Sequence, residues 1–544
     1  MARERWGSKL GIIMAVAGSA IGLGNFLRFP VQAAQNGGGA FMIPYFTAFF
    51  LLGLPLMWIE WAVGRLGGSM GHSTAPGMFH TLWPKNRLVK YLGAVGLFGP
   101  VIVFVYYIYV ESWLLGYSVF ALLGKYNSCT THEAMSGFLR GYQGLAKNEH
   151  FSSLGPAVGF FLITFGLNML VLYLGIRRGI ERVCKYLLPV LGLFAVILMV
   201  KVLSLGAPDP SRPEHSVLNG FGFLWNPNWA SLKEAKVWLA AAGQIFFTLS
   251  VGFGVILTYA SYLTKKDDVA LSGLTSAAAN ETAEVILGAS IVIPAAFAFF
   301  GPLATAQIAQ EGAFNLAFVT MPLVLQKVAF GDLFGFLWFA LLFFAGVTSS
   351  ISLAQPAIAF LQDEFRWPRL RAVSVFGIVT FVMCQACIFL IGKGVIDELD
   401  FWGGTFAIVV FATVETILFG WAFGIDKAWA EMHHGAAINV PRFYRWVIKY
   451  VTPTFLLTIL FFWFLQKPVV RLIDRAGEVG LARPLEVLRL WGTDLAVLLW
   501  MKDRPVEGLP YVWGIRGGLL AFFVGLIVLI WLAWRRKRQV EVVA

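Results

Sequence analysis

Long apolar runs separated by polar or charged loops recur along the chain, at about 9–34, 39–67, 88–122, 156–174, 180–203, 236–260, 270–302, 330–362, 370–391, 399–421, 444–466 and 517–535. An α-helix needs roughly 20 predominantly apolar residues to cross the hydrocarbon core of a bilayer, and most of these runs approach or exceed that length. They lack the strict apolar–polar alternation of membrane strands. The pattern predicts an all-α polytopic membrane protein with about twelve transmembrane helices, a single membrane domain over residues 1–544. Three outer loops, about 123–155, 204–235 and 303–329, are long.

An even number of spans places both ends on one side, and the basic residues choose it. Arg3, Arg5 and Lys9 precede the first span, and Arg535, Arg536, Lys537 and Arg538 follow the last. Lys85, Arg87, Lys90, Arg177, Arg178, Arg182, Lys265, Lys266, Arg366, Arg369 and Arg371 fall in loops on that same side. Both termini are therefore expected in the cytoplasm, with the protein in the inner (plasma) membrane. The 467–515 loop mixes Arg with Asp and Glu, and loops of that length weigh little in the rule; its 485–501 stretch has the make-up of an interfacial helix. The start of the chain resembles a signal peptide, but its apolar run continues through Gly22, Gly24 and Asn25 to Arg28 and Pro30. It is expected to be a retained first span.

Composition agrees with the pattern. Hydrophobic residues make up 58% of the chain and charged residues 13%, with mean hydropathy +0.73; a soluble protein carries about 25% charged residues. The net charge of +12 (42 basic, 30 acidic) would suggest a nucleic-acid partner in a soluble chain. Here the basic residues cluster at span ends, so the bilayer is the expected partner and nucleic acid is not. Four cysteines give no disulfide framework. Cys184, Cys384 and Cys387 lie in or beside apolar runs, and Cys129 is alone in a polar loop. His433 and His434 have no further metal ligands nearby in sequence. No nucleophile–base or metal constellation points to an enzyme, and no organic cofactor is expected.

The 57 glycines and 23 prolines sit awkwardly in a chain of helices. Gly18, Gly22 and Gly24 interrupt the first span within GSAIGLGNFLRFP (18–30), followed by Asn25 and Arg28. The sixth span carries FFTLSVGFG (246–254), with Thr248, Ser250, Gly252 and Gly254 at its middle. Glycine is a weak helix former. Interrupted spans five apart match the first helices of two five-helix repeats, spans 1–5 (about 9–203) and 6–10 (about 236–421), followed by spans 11–12 (about 444–535). Such a matched pair marks a midplane transport site, where freed carbonyls coordinate cations and freed amides hold anions. Gly18-x-x-x-Gly22 alone would also suit helix packing, but packing explains neither Asn25 and Arg28 nor the second break. Other polar residues inside spans are Glu60, Tyr107, Asn280, Glu284, Thr348, Ser349 and Ser350, with Asp400 opening the tenth.

AIGLGNFLRFPVQAAQNGGGAF (20–41), PLMWIEWAVGR (55–65), GQIFFTLSVGFG (243–254), LSGLTSAAANETAEVILG (271–288) and FFAGVTSSISLAQP (343–356) resemble the neurotransmitter:sodium symporter family. The similarity is greatest to its bacterial amino-acid members, whose type is the bacterial leucine transporter. It implies a sodium-coupled symporter of neutral hydrophobic amino acids, leucine-like, with inverted repeats and broken helices 1 and 6. By the same resemblance a first sodium is bound by Ala20, Asn25, Thr248 and Asn280, with the substrate carboxylate completing the site. A second is bound by Gly18, Ile21, Ala345, Thr348 and Ser349. The substrate meets Ala20, Leu23, Gly24, Tyr107, Phe247, Thr248 and Ser250, and its side chain enters a pocket of Val103, Tyr107, Phe247, Ser250, Phe253, Ser349 and Leu353.

The resemblance further implies an outer gate of Arg28 with Asp400, Gln244 nearby, and an inner gate of Arg3 with Asp363, Tyr262 nearby. Gly179 and Pro189 reproduce a G-x9-P spacing where the fifth span could unwind. Glu284 stands where chloride-dependent animal members carry Ser, so chloride-independent transport is expected. Ser19 and Leu353 replace the Asn and Ile of the type member, which leaves the preferred amino acid open. The resemblance also allows a homodimer. The alternative function is an amino-acid-binding transceptor or regulatory membrane protein with little transport.

Overall fold

The computed structural model describes residues 4–461 and 509–543. Among them the chain is helical, with a single isolated bridge between Gly38 and Pro227 in place of any sheet. Ser8 starts the first span by accepting a hydrogen bond from the Gly11 amide, and Lys9–Ala20 follows. The chain leaves the helix at Ile21 (ψ 90°) and resumes as Gly24–Gln35, bent 45° from the first half. The sixth span breaks more completely. Ala235–Thr248 ends in three left-handed residues, Ser250, Gly252 and Gly254 (φ 54°, 80° and 73°), before Val255–Ala260. Glycine adopts that conformation without penalty; at Ser250 it is held against a cost of order 1–2 kcal/mol.

The remaining spans are Gly39–Ser69, Val89–Leu122, Gly155–Tyr173, Ile176–Leu203, Ala270–Glu311, Gly331–Phe365, Arg369–Phe389 and Val395–Ala422. The eleventh runs from Phe443 to residue 461, where the described part stops. The twelfth, Leu509–Val543, extends beyond the expected 517–535 and takes in the end of the 467–515 loop. The rest of that loop, with the helix expected at 485–501, lies outside the described residues.

The seventh span also outruns its expected end at 302. It continues to Glu311 across a sharp turn at Gly301 (φ 76°, ψ −179°), just before Pro302, which has no amide to extend the helical ladder. The long outer loops contain helices of their own. His132–Tyr142 and Val217–Trp225 are capped by Thr131 and Ser216, and Ala313–Gln326 covers most of the third loop. Side-chain oxygens at those caps satisfy amides that would otherwise have only water.

Spans of similar hydropathy occupy different places. The apolar windows of the third and eighth spans are 94% and 83% buried by protein; those of the fourth, fifth and twelfth are 33%, 28% and 22%. The former build the centre, and the latter face lipid. The second span packs closely on the second half of the sixth through two glycines one turn apart. A Cβ at Gly64 would stand 2.3 Å from the Leu257 carbonyl oxygen, and one at Gly68 2.1 Å from that of Ser261. Small residues four apart let helix backbones approach where no hydrophobic effect drives them together. Gly68→Ala should therefore lower the melting temperature of the detergent-solubilised protein. Gly166→Ala, a helical site with nothing within 4 Å, should leave it unchanged or raise it slightly, since Ala in a helix is favoured by about 0.5–1 kcal/mol.

Candidate functional site

The two breaks face each other, and buried polar side chains take up the backbone groups they free. Asn25 accepts from the Gly22 amide through Oδ1 at 2.8 Å. Its Nδ2 points across the gap to Asn280 Oδ1 (2.8 Å), Glu284 Oε2 (3.1 Å) and Thr248 Oγ1 (3.3 Å). One end of the Asn280 amide lies 3.0 Å from Thr248 Oγ1, the other 3.2 Å from the carbonyl oxygens of Ala20 and Thr248. With its nitrogen turned to those carbonyls it donates to both. With its oxygen there, three oxygens converge, an arrangement that suits a hard cation. Glu60 of the second span, fully buried, accepts from the Gly252 amide at 2.5 Å.

A second oxygen cluster lies beside the first break. Ser349 Oγ sits 3.0 Å from the Ala345 carbonyl, 3.3 Å from that of Ser19 and 3.5 Å from that of Gly18. Thr348 Oγ1 is 3.1 Å from the Ala345 carbonyl, and a Cβ on Gly18 would touch the Thr348 side chain at 3.3 Å. The contacts thus gather Gly18, Ala345, Thr348 and Ser349; for Ile21 they record the amide bond to the Ala17 carbonyl at 2.7 Å.

Between the breaks lies a narrow cavity, of about 30 Å³ in this conformation, lined by Ala20, Leu23, Gly24, Val103, Tyr107, Phe247, Thr248, Ser250, Phe253, Ser349 and Leu353 together with Ser19 and Gly22. No charged side chain lines it. The Leu23 amide, 3.5 Å from the Tyr107 hydroxyl, marks a polar end; Val103, Phe253 and Leu353 make the other end apolar. Gly22 is needed for this space, because a Cβ there would stand 2.9 Å from Ser349 Oγ and 3.2 Å from the Tyr107 hydroxyl.

The two ends of the site differ. At the end remote from the N-terminus the Arg28 guanidinium lies 4.5 Å from the Phe247 ring centre. Asp400 accepts from the Tyr106 hydroxyl at 2.6 Å. Arg28 feels the Asp400 charge, but no ion pair closes between them. Gln244 is bonded to Glu284 at 2.8 Å and so acts beside the first oxygen cluster. Glu284 also accepts from the Thr248 hydroxyl and from Tyr45 at 3.0 Å, and Tyr45 reaches Glu281 at 2.7 Å.

At the other end the N-terminal segment is tied down. Glu4 pairs with Arg369 (3.2 Å) and accepts from the Ile176 amide (2.9 Å). Trp6 Nε1 donates to the Tyr259 carbonyl at 2.9 Å. The Gly7 amide and Ser8 hydroxyl bond to Glu181 at 2.6 and 2.9 Å. Tyr262 accepts from Gln355 at 2.8 Å. Arg3, the expected partner of Asp363, lies outside the described residues. The fifth span opens with a wide π-helical turn at Ile176–Ile180, which contains Gly179, and continues as an unbroken helix through Pro189, so no unwinding is present in this conformation.

Sequence reasoning did not single out Ser19, Tyr45, Glu281, Glu4 or Glu181 as functional. Glu281, one residue from Asn280, and Ser19, one residue from Ala20, lay inside quoted motifs; the others carried no signal. Gly22 and Glu60 were noticed as a helix breaker and a buried acid, without a partner for either.

The family model described as the sodium:neurotransmitter symporter family matches residues 3–136 and 125–472. An uncharacterized sodium-dependent transporter of Methanocaldococcus jannaschii is 31% identical over 472 residues, covering 85% of this chain and 90% of that protein. The sodium-dependent serotonin transporter of Drosophila melanogaster is 26% identical over 504 residues, with 85% and 76% covered. Among solved structures, MhsT in complex with L-phenylalanine superimposes with a TM-score of 0.71 at 27% identity, covering 85% of this chain and 99% of MhsT. The chain has the MhsT fold and belongs to the sodium:neurotransmitter symporter family, a family of sodium-dependent membrane transporters.

Proposed function

We propose that this protein is a sodium-coupled symporter of neutral hydrophobic amino acids that works by alternating access. The observation that carries the reading is the cavity itself: uncharged, polar at the breaks, apolar beyond them, and flanked by two clusters of oxygen donors. An amino acid carboxylate would take the Leu23 and Gly24 amides and the Tyr107 hydroxyl. Its ammonium would take the carbonyls of Ala20, Phe247, Thr248 and Ser250. The apolar end would receive a leucine-, methionine- or phenylalanine-sized side chain; a charged one would be buried without a partner, which costs several kcal/mol. That MhsT is named in complex with L-phenylalanine supports this substrate class.

The first sodium would lie among Ala20, Asn25, Thr248 and Asn280 and share the substrate carboxylate, so that each favours binding of the other. The second would lie among Gly18, Ile21, Ala345, Thr348 and Ser349. Neither set includes a protein carboxylate, which favours a monovalent ion over calcium. Glu284, bonded to Thr248 and Gln244, would supply the negative charge that an anion otherwise brings, making transport independent of chloride. The repeats 9–203 and 236–421 would be the two halves that rock about the site, with both termini cytoplasmic. The unclosed Arg28–Asp400 pair and the tied N-terminal segment then describe a state shut toward the cytoplasm.

Purified protein in liposomes, given an inward sodium gradient and a panel of labelled amino acids, tests the reading. Leucine, methionine or phenylalanine should accumulate only with sodium; uptake without it would sink the proposal, and binding without accumulation would favour the transceptor. Thr248→Ala removes a ligand shared by ion and substrate, so both half-saturation constants should rise, each by about tenfold if the lost interaction is worth roughly 1–1.5 kcal/mol. A change in only one contradicts the shared site. Glu284→Ser should make uptake depend on external chloride, and uptake by that variant indifferent to chloride would refute the assigned charge role.

A further inference from the structure

Ser349 and Ser350 are neighbours on the eighth span, but their hydroxyls serve different parts of the molecule. Ser349 turns to the first break. Ser350 donates to Asn168 Oδ1 of the fourth span at 2.7 Å. Asn168 Nδ2 in turn donates to Glu111 Oε1 of the third span at 2.9 Å and to the Thr164 carbonyl at 3.1 Å. Glu111, Asn168 and Ser350 are all fully buried. Their approach is close, since a Cβ on Gly346, one turn before Ser350, would stand 2.9 Å from Glu111 Cγ. Glu111 is itself one turn beyond Tyr107 of the cavity.

Stability alone does not explain this chain. Buried polar side chains that satisfy one another contribute little net free energy over well-packed apolar ones, and the second Glu111 oxygen, Oε2, accepts no well-formed hydrogen bond. What the chain does, and apolar contacts would do less sharply, is fix the rotation and height of the eighth span against the third and fourth. The turn so fixed carries Ala345, Thr348 and Ser349. The other side of that oxygen cluster, Gly18, belongs to the broken first span, a separate element from the braced one.

We propose that Glu111, Asn168 and Ser350 form a positioning brace that sets sodium affinity at the second cluster without touching ion or substrate. The proposal rests on the sodium-coupled reading above. Hydrogen-bonded partners behind metal ligands typically alter metal affinity 10–100-fold when removed, and a weakly held monovalent ion should fall at the low end.

The test is equilibrium binding of labelled L-leucine and L-phenylalanine to the purified full chain, titrated with sodium. Asn168→Ala and Ser350→Ala should each raise half-saturating sodium by about tenfold while leaving amino-acid affinity at saturating sodium unchanged. The double variant should shift no further than the larger single one, because the two residues act in series. Glu111→Gln keeps an acceptor for Asn168 and should bind sodium as the unsubstituted chain does, whereas Glu111→Leu should match Asn168→Ala. A merely structural role would lower the melting temperature and leave half-saturating sodium unmoved. That result, or Glu111→Gln behaving like Glu111→Leu, overturns the brace while the function stands. Sodium-independent binding by the unsubstituted chain overturns the functional reading and the brace with it.

Discussion

A backbone that stops being helical inside a membrane must find new partners for its amides and carbonyls, because lipid offers none and each unsatisfied group costs several kcal/mol. Both breaks obey this constraint with side chains from other spans. Asn25 takes the Gly22 amide, Glu60 takes that of Gly252, and the Ser250 hydroxyl takes the Ser19 carbonyl at 2.8 Å. The last bond joins one break to the other. Groups held only by long bonds after that accounting, notably the Leu23 amide at 3.5 Å from the Tyr107 hydroxyl and the carbonyls of Ala20 and Thr248 at 3.2 Å from the Asn280 amide, are the ones a ligand could engage. The binding capacity of the cavity is thus the remainder of a hydrogen-bond problem that the surrounding helices solve only in part.

The rest of the fold separates what must stay still from what must move. The third and eighth spans are enclosed by protein along most of their length and are stitched to the fourth by Glu111, Asn168 and Ser350. The first span is tied at its middle to the sixth, seventh and eighth through Ser19 and Asn25, and it is also fastened at its start, through Glu4, Trp6, Gly7 and Ser8. On the alternating-access reading proposed above, these polar contacts at the start of the span would have to be exchanged between states, and a ligand that binds one state better would shift the balance between them.

Much of this was legible in the sequence, for identifiable reasons. Glycines grouped with Asn25 in an apolar run contradict a continuous helix, and the repetition of that contradiction at 246–254 locates the site. The eleven residues expected around the substrate do line one cavity; nine sit on the stretches that carry the resemblance, and Val103 and Tyr107 on the third span outside them. Loop helices such as His132–Tyr142 were missed because a polar, amphipathic stretch outside the membrane was taken for a connection. Which spans face lipid was not legible either, as lipid and protein interior ask for the same apolar side chains. The N-terminal ties were hidden for another reason: Arg and Lys near the start were read for topology, and the acids that bind the segment, Glu4 and Glu181, stand at sequence distances no local pattern connects.

Glu284 shows why a buried acid cannot be assigned by composition. It receives bonds from Thr248, Gln244, Tyr45 and Asn25, which come from three segments, the two broken spans and the second span. Tyr45 has one hydroxyl proton and two carboxylates before it, Glu284 and Glu281, so it donates to one at a time. On the symport reading proposed above, a carboxylate tied to both breaks would feel a displacement of either, which would link its charge to the motion that opens the cavity. An anion diffusing in from solution would carry the same charge without those ties. Placing the charge on a side chain makes it part of the gate's mechanics, which is a physical reason for a transporter of this kind to keep an acid at that position.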